Sequence, residues 1–143
     1  MHGRAGRHDR ESGSTAIELV LWTPLLFFIL FLLFQLGLFL FAQHVADTAA
    51  QAGARTARQD EATDKNWQNE AVDAAASWVD NLIGPGISGP ITTTPTIQGD
   101  PDPGACTPPI VTVEVAFTMN SVFGGMSVHA QSAGPVENFY PEC

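Results

Sequence analysis

The sequence predicts an α+β protein: a long N-terminal transmembrane helix continuing outside the membrane, a second amphipathic helix, and a small antiparallel β-sheet. Three patterns predict it. Residues 19–41 form a run of 23 residues without a formal charge, in which Thr23 and Gln35 are the only clearly polar members. Residues 67–82 repeat apolar side chains at helical spacing. Residues 110–119 and 126–132 alternate apolar and polar side chains with period two.

The first helix is expected over about 16–57. At about 1.5 Å per residue, a 23-residue helix spans roughly 34 Å, enough to cross a hydrocarbon core of about 30 Å. A soluble core helix rarely stays apolar on all faces for this length. Pro24 removes a backbone donor and tends to kink the helix, and Gly37 adds a second soft point. Past the span, Ala42, Ala46, Ala49, Gly53 and Ala57 recur at steps of three and four. They form a seam of small residues on one face, which lets another element approach closely.

A polar break at 59–64 follows, in which Thr63 or Asp64 can cap a second helix over about 65–82. Its apolar face reads Trp67, Ala71, Ala74 or Ala75, Trp78, Val79 and Leu82, and Gly84-Pro85-Gly86 ends it. Residues 84–109 hold seven of the ten prolines and five of the thirteen glycines, which blocks helix and disfavours central strands. Residues 91–97 read as a short edge strand interrupted at Pro95. In the next strand Val111, Val113, Val115, Phe117 and Met119 share one face. A turn region over 120–125 leads to a strand with Met126, Val128 and Ala130 inward. A hairpin alone is marginal, so its apolar face must cover the second helix and the outer half of the first.

Charge sets the compartment. The net charge is −9, and the six bases are Arg4, Arg7 and Arg10 before the apolar run and Arg55, Arg58 and Lys65 after it. Beyond Lys65 eight acids and no base remain, which argues against nucleic-acid binding. The leader arginines place the N-terminus in the cytoplasm and the acidic domain outside. A secretory signal peptide is the rival, with Ala50-Gln51-Ala52 as an A-x-A-like site, but the run exceeds the usual apolar core of about 7–15 residues. In an oxidising exterior, Cys106 and Cys143 are a candidate disulfide, the other reading being two free thiols. The closed loop of 38 residues counting both ends gives about 4 kcal/mol in the chain-entropy model.

Chemistry of other kinds has no constellation here. Two isolated cysteines without CxxC or HxxxH spacing do not assemble a metal site, and Asp100-Pro101-Asp102 lacks the spaced oxygen ligands of a calcium loop. His44, Asp47 and Ser77 are not brought together by any motif, and GxSxG, P-loop, GxGxxG and HExxH are absent. No catalytic residue and no cofactor is expected, and the chain reads as a structural protein rather than an enzyme.

One acid stands just inside the apolar helix. Glu18 requires either the headgroup layer, where the positive end of the helix dipole favours it, or a partner charge. It belongs to a larger constellation: a short basic leader ending in Gly13, then Ser14, then Glu18 as the fifth residue after the glycine, then an unbroken apolar run. This resembles the class III signal of type IV pilins and pseudopilins. The string Gly13-Ser14-Thr15-Ala16-Ile17-Glu18-Leu19-Val20, followed by Thr23-Pro24, is similar to the TadE-like proteins of the tight-adherence (Flp) pilus system. The terminal segment Gly134-Pro135-Val136-Glu137-Asn138-Phe139-Tyr140 looks like the ending of such domains.

The resemblance implies cleavage by a prepilin peptidase between Gly13 and Ser14. The free Ser14 ammonium would then pair with a Glu18 carboxylate, its own or a neighbour's. It implies a leader over 1–13, a transmembrane and extended helix over 14–58, and a small extracytoplasmic α+β domain over 59–143. The implied partners are the membrane, the peptidase, other pilin-like subunits (TadF-like protein and Flp pilin) and the pilus assembly platform, with cell adhesion as the outcome. The alternative is an unprocessed, signal-anchored single-pass envelope protein with an extracytoplasmic binding domain, in which Gly13 and Glu18 are replaceable.

Overall fold

The computed structural model describes residues 11–60, 66–84, 88–99, 108–121 and 124–136. The elements run α1 (Glu11–Asp60), α2 (Trp67–Ile83), β1 (Thr92–Gln98), β2 (Ile110–Ser121) and β3 (Gly124–Pro135). The chain divides into two compact units, Met1–Leu38 and Phe39–Cys143. The α+β class and its element order are those the sequence predicts. Cys106, Cys143, Thr63 and Asp64 lie outside the described residues, as do residues 1–10 of the expected leader.

In the first unit, α1 begins at Glu11 rather than near residue 16, so positions 11–13, expected without structure, are helical. Helix assignment continues through Pro24. The missing proline N–H leaves the carbonyl four residues back without its helical donor. One residue earlier, Thr23 Oγ1 donates to the Leu19 carbonyl at 2.6 Å, so a side chain turns inward onto the backbone at this point. The large side chains along the run are exposed, Trp22, Phe27, Leu30 and Phe34 among them. Only 6% of the most apolar window of this helix is buried, whereas a soluble core helix covers most of its own surface.

In the second unit, the three strands form one antiparallel sheet in the order β1-β2-β3. Register places Val111, Val113 and Val115 of β2 opposite Ile97, Pro95 and Thr93 of β1. On the other side they face Gly134, Ser132 and Ala130 of β3. These residues share the inner face. Val111, Val113, Val115, Phe117, Met119, Val128 and Ala130 are buried there, as their alternation requires. Pro95 does not interrupt β1. The strand is at the sheet edge, where a residue without an N–H costs no ladder bond on its outer side. The expected six-residue turn is shorter than its glycines suggest. Pairing continues through Asn120↔Gly125 to Ser121↔Gly124, leaving two residues between the paired ends.

The helices cover this inner face. Ala42, Ala46, Ala49 and Ala57 of the α1 seam are fully buried, with Val45, Ala50 and Ala54 beside them. Gly53 marks where three elements converge. A Cβ there would lie 2.9 Å from the Ala71 carbonyl oxygen, 3.2 Å from Ala75 Cβ and 3.2 Å from Val113 Cγ1. Only a glycine allows α1 to meet α2 and β2 at that separation. Two further contacts fix α1 on β3: Gln43 Nε2 donates to the His129 carbonyl at 2.9 Å, and the Arg58 guanidinium lies over Gly134.

α2 differs from its expected form at its start and on its face, and ends where expected. It starts at Trp67 behind Asn66, whose carbonyl accepts from Asn69 N–H at 3.0 Å and whose Oδ1 accepts from Asn69 Nδ2 at 2.5 Å. It ends at Gly84, whose φ of 86° is open to glycine and whose N–H donates to the Asp80 carbonyl. The buried stripe is Ala71, Ala75, Val79 and Ile83, at steps of four. Trp78 and Leu82, expected inward, are each 45% exposed. The small residues of that stripe are what permit close approach to α1, so the bulkier neighbours are turned to the flank.

Candidate processing and assembly site

The residues singled out by the N-terminal motif all lie on one helical stretch of the first unit. Gly13 and Ser14 fall in the first turn of α1, where opening the helix costs little because its terminal backbone bonds are the least protected. Ser14 and Glu18 are four residues apart in continuous helix, so their positions share one face about a turn from each other. Glu18 is exposed. Among the described residues it has no ion-pair partner, although it opens an apolar stretch in which Ile17, Leu19, Val20 and Leu21 are also exposed. A carboxylate so placed in a bilayer requires a cation from outside the described chain or a position at the headgroups.

Deeper in the run, the Oε1 atom of Gln35 is covered and has no hydrogen-bond partner. An unmatched acceptor in an apolar setting typically costs about 1–3 kcal/mol. It is the second polar outlier of this helix after Glu18.

Among the described residues, none of the remaining candidates forms a site. His44, Asp47 and Ser77 are exposed, and Ser77 Oγ donates to the Ala74 carbonyl at 2.8 Å, a local bond within its own helix. Among the described residues no group of three or more His, Cys, Asp or Glu side chains is placed to hold a metal ion.

The decisive comparison falls on the helix just described. Residues 13–55 match the model of the TadE-like protein family. This stretch is TadE-like. The match opens on Gly13, takes in Glu18 and the whole uncharged run, and extends through most of the buried alanine seam. The TadE-like family is pilus-associated and structural, and its match supports a component of a tight-adherence (Flp) pilus system. The long apolar α1 fits a membrane anchor in such a protein. No curated protein and no solved structure matches the chain. The sheet and α2 are therefore known from the chain's own structure, and the TadE-like match bears on α1.

Sequence reasoning missed two contacts of α1. Arg58 donates from Nε to the Ala54 carbonyl at 3.2 Å and spreads over Gly134. The signal was present in β3, where a glycine inside a strand marks close approach of another group. Gln43 reaching the His129 carbonyl left no comparable trace.

Proposed function

We propose that the chain is a minor pilin-like (pseudopilin) subunit for assembly of a tight-adherence pilus, processed by a prepilin peptidase between Gly13 and Ser14. The observation that carries this reading is the TadE-like match beginning on Gly13 and running along an apolar helix whose large side chains are exposed among the described residues. In this reading the leader 1–13 stays in the cytoplasm, residues 14–58 anchor and extend the subunit, and 59–143 contribute the extracytoplasmic domain. Cleavage gives Ser14 an ammonium, and that charge pairs with Glu18 of the same or a neighbouring subunit, which offsets the cost of a carboxylate in lipid. Partners are TadF-like protein, Flp pilin and the assembly platform, and surface adhesion is the result. The exterior domain is longer than the major pilin requires, which favours a minor role.

The test is recovery of the mature chain in pili sheared from cells that carry the assembly machinery. Its presence at a small fraction of the major subunit is expected. Its retention in the membrane with residues 1–13 intact would favour the signal-anchored envelope protein instead.

A further inference from the structure

Two outer faces of the second unit carry complementary features that the chain does not use internally. On the helical side, Thr48, Gln51, Ala52 and Arg55 of α1 and Trp78 of α2 line a cleft of about 180 Å³. Arg55 is exposed and, among the described residues, makes neither an ion pair nor a hydrogen bond. The positions one turn from it on α1 are Gln51, Ala52, Arg58 and Gln59, so no acid on that helix face neutralises it. Beside it stands the indole of Trp78, 45% exposed although α2 has a buried face available. Arginine and tryptophan together in a concave site are the side chains that most often dominate protein interfaces.

On the sheet side, Pro90, Thr92, Glu114, Ala116, Ser127 and His129 border a broader concavity of about 520 Å³. Glu114 is exposed there and, among the described residues, has no ion-pair partner. The two sites are on opposite sides of a two-layer domain. Gly53 of α1 abuts Val113 on the inner face of β2, so Glu114, one residue on, points to the outer face, while Arg55 is on the solvent side of α1. They cannot meet within one chain.

We propose that the Arg55–Trp78 cleft docks the Glu114 concavity of a second copy of this chain. The indole supplies the apolar body that fills the wider hollow, and the guanidinium meets the carboxylate at its edge. Because the two surfaces differ and face opposite ways, the contact is heterologous, and a copy bound through one surface offers the other to a neighbouring subunit during assembly. Only this use in assembly rests on the proposed function; the contact itself is measurable in the isolated protein.

The experiment is sedimentation of the full chain in detergent micelles. Wild type is expected to self-associate, and Arg55→Glu and Glu114→Arg are each expected to weaken association by at least about tenfold. Mixing the two variants recreates opposite charges in both orders of docking, the unchanged Arg55 of one against the unchanged Glu114 of the other and the two substituted positions against each other, so the mixture is expected to recover association that neither shows alone. Trp78→Ala should weaken it alone and in a mixture with Arg55→Glu, and should recover one contact in a mixture with Glu114→Arg, whose cleft is intact. Association through the apolar helix is common to all variants and cancels. Equal association of wild type and Arg55→Glu, no association of wild type, or no recovery on mixing would each overturn the contact. Correct processing and pilus incorporation of a chain with any of these results would leave the proposed function standing without this interface.

Discussion

Gly37 and Gly53 belong to the same helix, yet a Cβ would meet nothing within 4 Å at the first and a carbonyl oxygen at 2.9 Å at the second. The side chains around them follow the same division. Leu33, Phe34, Leu36 and Leu40 are exposed near Gly37, while Ala49, Ala50, Ala54 and Ala57 are buried near Gly53. Large residues face outward where the helix fits a membrane anchor, and small ones face inward where the surroundings are α2 and the sheet. Side-chain size, rather than hydrophobicity alone, tells which medium each part of α1 is built for. A bilayer accepts bulk without shape matching, but a packed domain admits only the atoms its neighbours leave room for.

The contrast can be tested from its strongest consequence downward. The expected Cys106–Cys143 bridge closes a loop of 38 residues counting both ends, and its loss in Cys106→Ser is expected to cost about 4 kcal/mol under oxidising conditions. The thermal midpoint of the second unit is the readout, and an unchanged midpoint removes the bridge. Gly53→Leu forces a side chain against Ala71, Ala75 and Val113, and a loss of about 3 kcal/mol is expected in denaturant unfolding. Gly37→Ala meets open space and should leave the domain's unfolding unchanged while raising helix propensity by about 1 kcal/mol at most. If the two glycine variants behaved alike, the division of α1 into lipid-facing and domain-facing parts would fail. Glu18→Gln is expected to change domain stability least of all, by less than about 0.5 kcal/mol, because Glu18 is an exposed residue of the first unit. Its effect belongs to assembly: cleavage should persist while incorporation into pili falls, and equal incorporation would count against the ion pair.

Much of this fold was legible because its strongest signals are periodic. The alanine seam emerged from steps of three and four, and the inner face of β2 from alternation; both are set by backbone geometry alone. What escaped depended on which of two adjacent apolar stripes a neighbour chooses. Trp78 and Leu82 lie one position from the buried Val79 and Ile83, and the bulk of the tryptophan suggested core. The seam on α1 presents small residues, so α2 offers its own small residues in return, and no single-helix pattern contains that condition. The hairpin tip escaped for a similar reason. Gly124 and Gly125 read as turn residues, but both are paired in the sheet, and Gly124 takes its φ of 120° as the first residue of β3. At the candidate site, Gly13, Ser14 and Glu18 were legible as a motif. The Glu18 carboxylate without an ion-pair partner among the described residues, the covered Gln35 acceptor and the Arg55–Trp78 cleft became visible only with the neighbours of each side chain in place.

The most direct test of the proposed processing is the N-terminal sequence of the protein isolated from its native membrane, beside a Gly13→Arg variant. A mature chain beginning at Ser14, with the variant remaining full length, is the predicted result. A native chain that retains residues 1–13 would contradict cleavage and leave Glu18 without its ammonium partner.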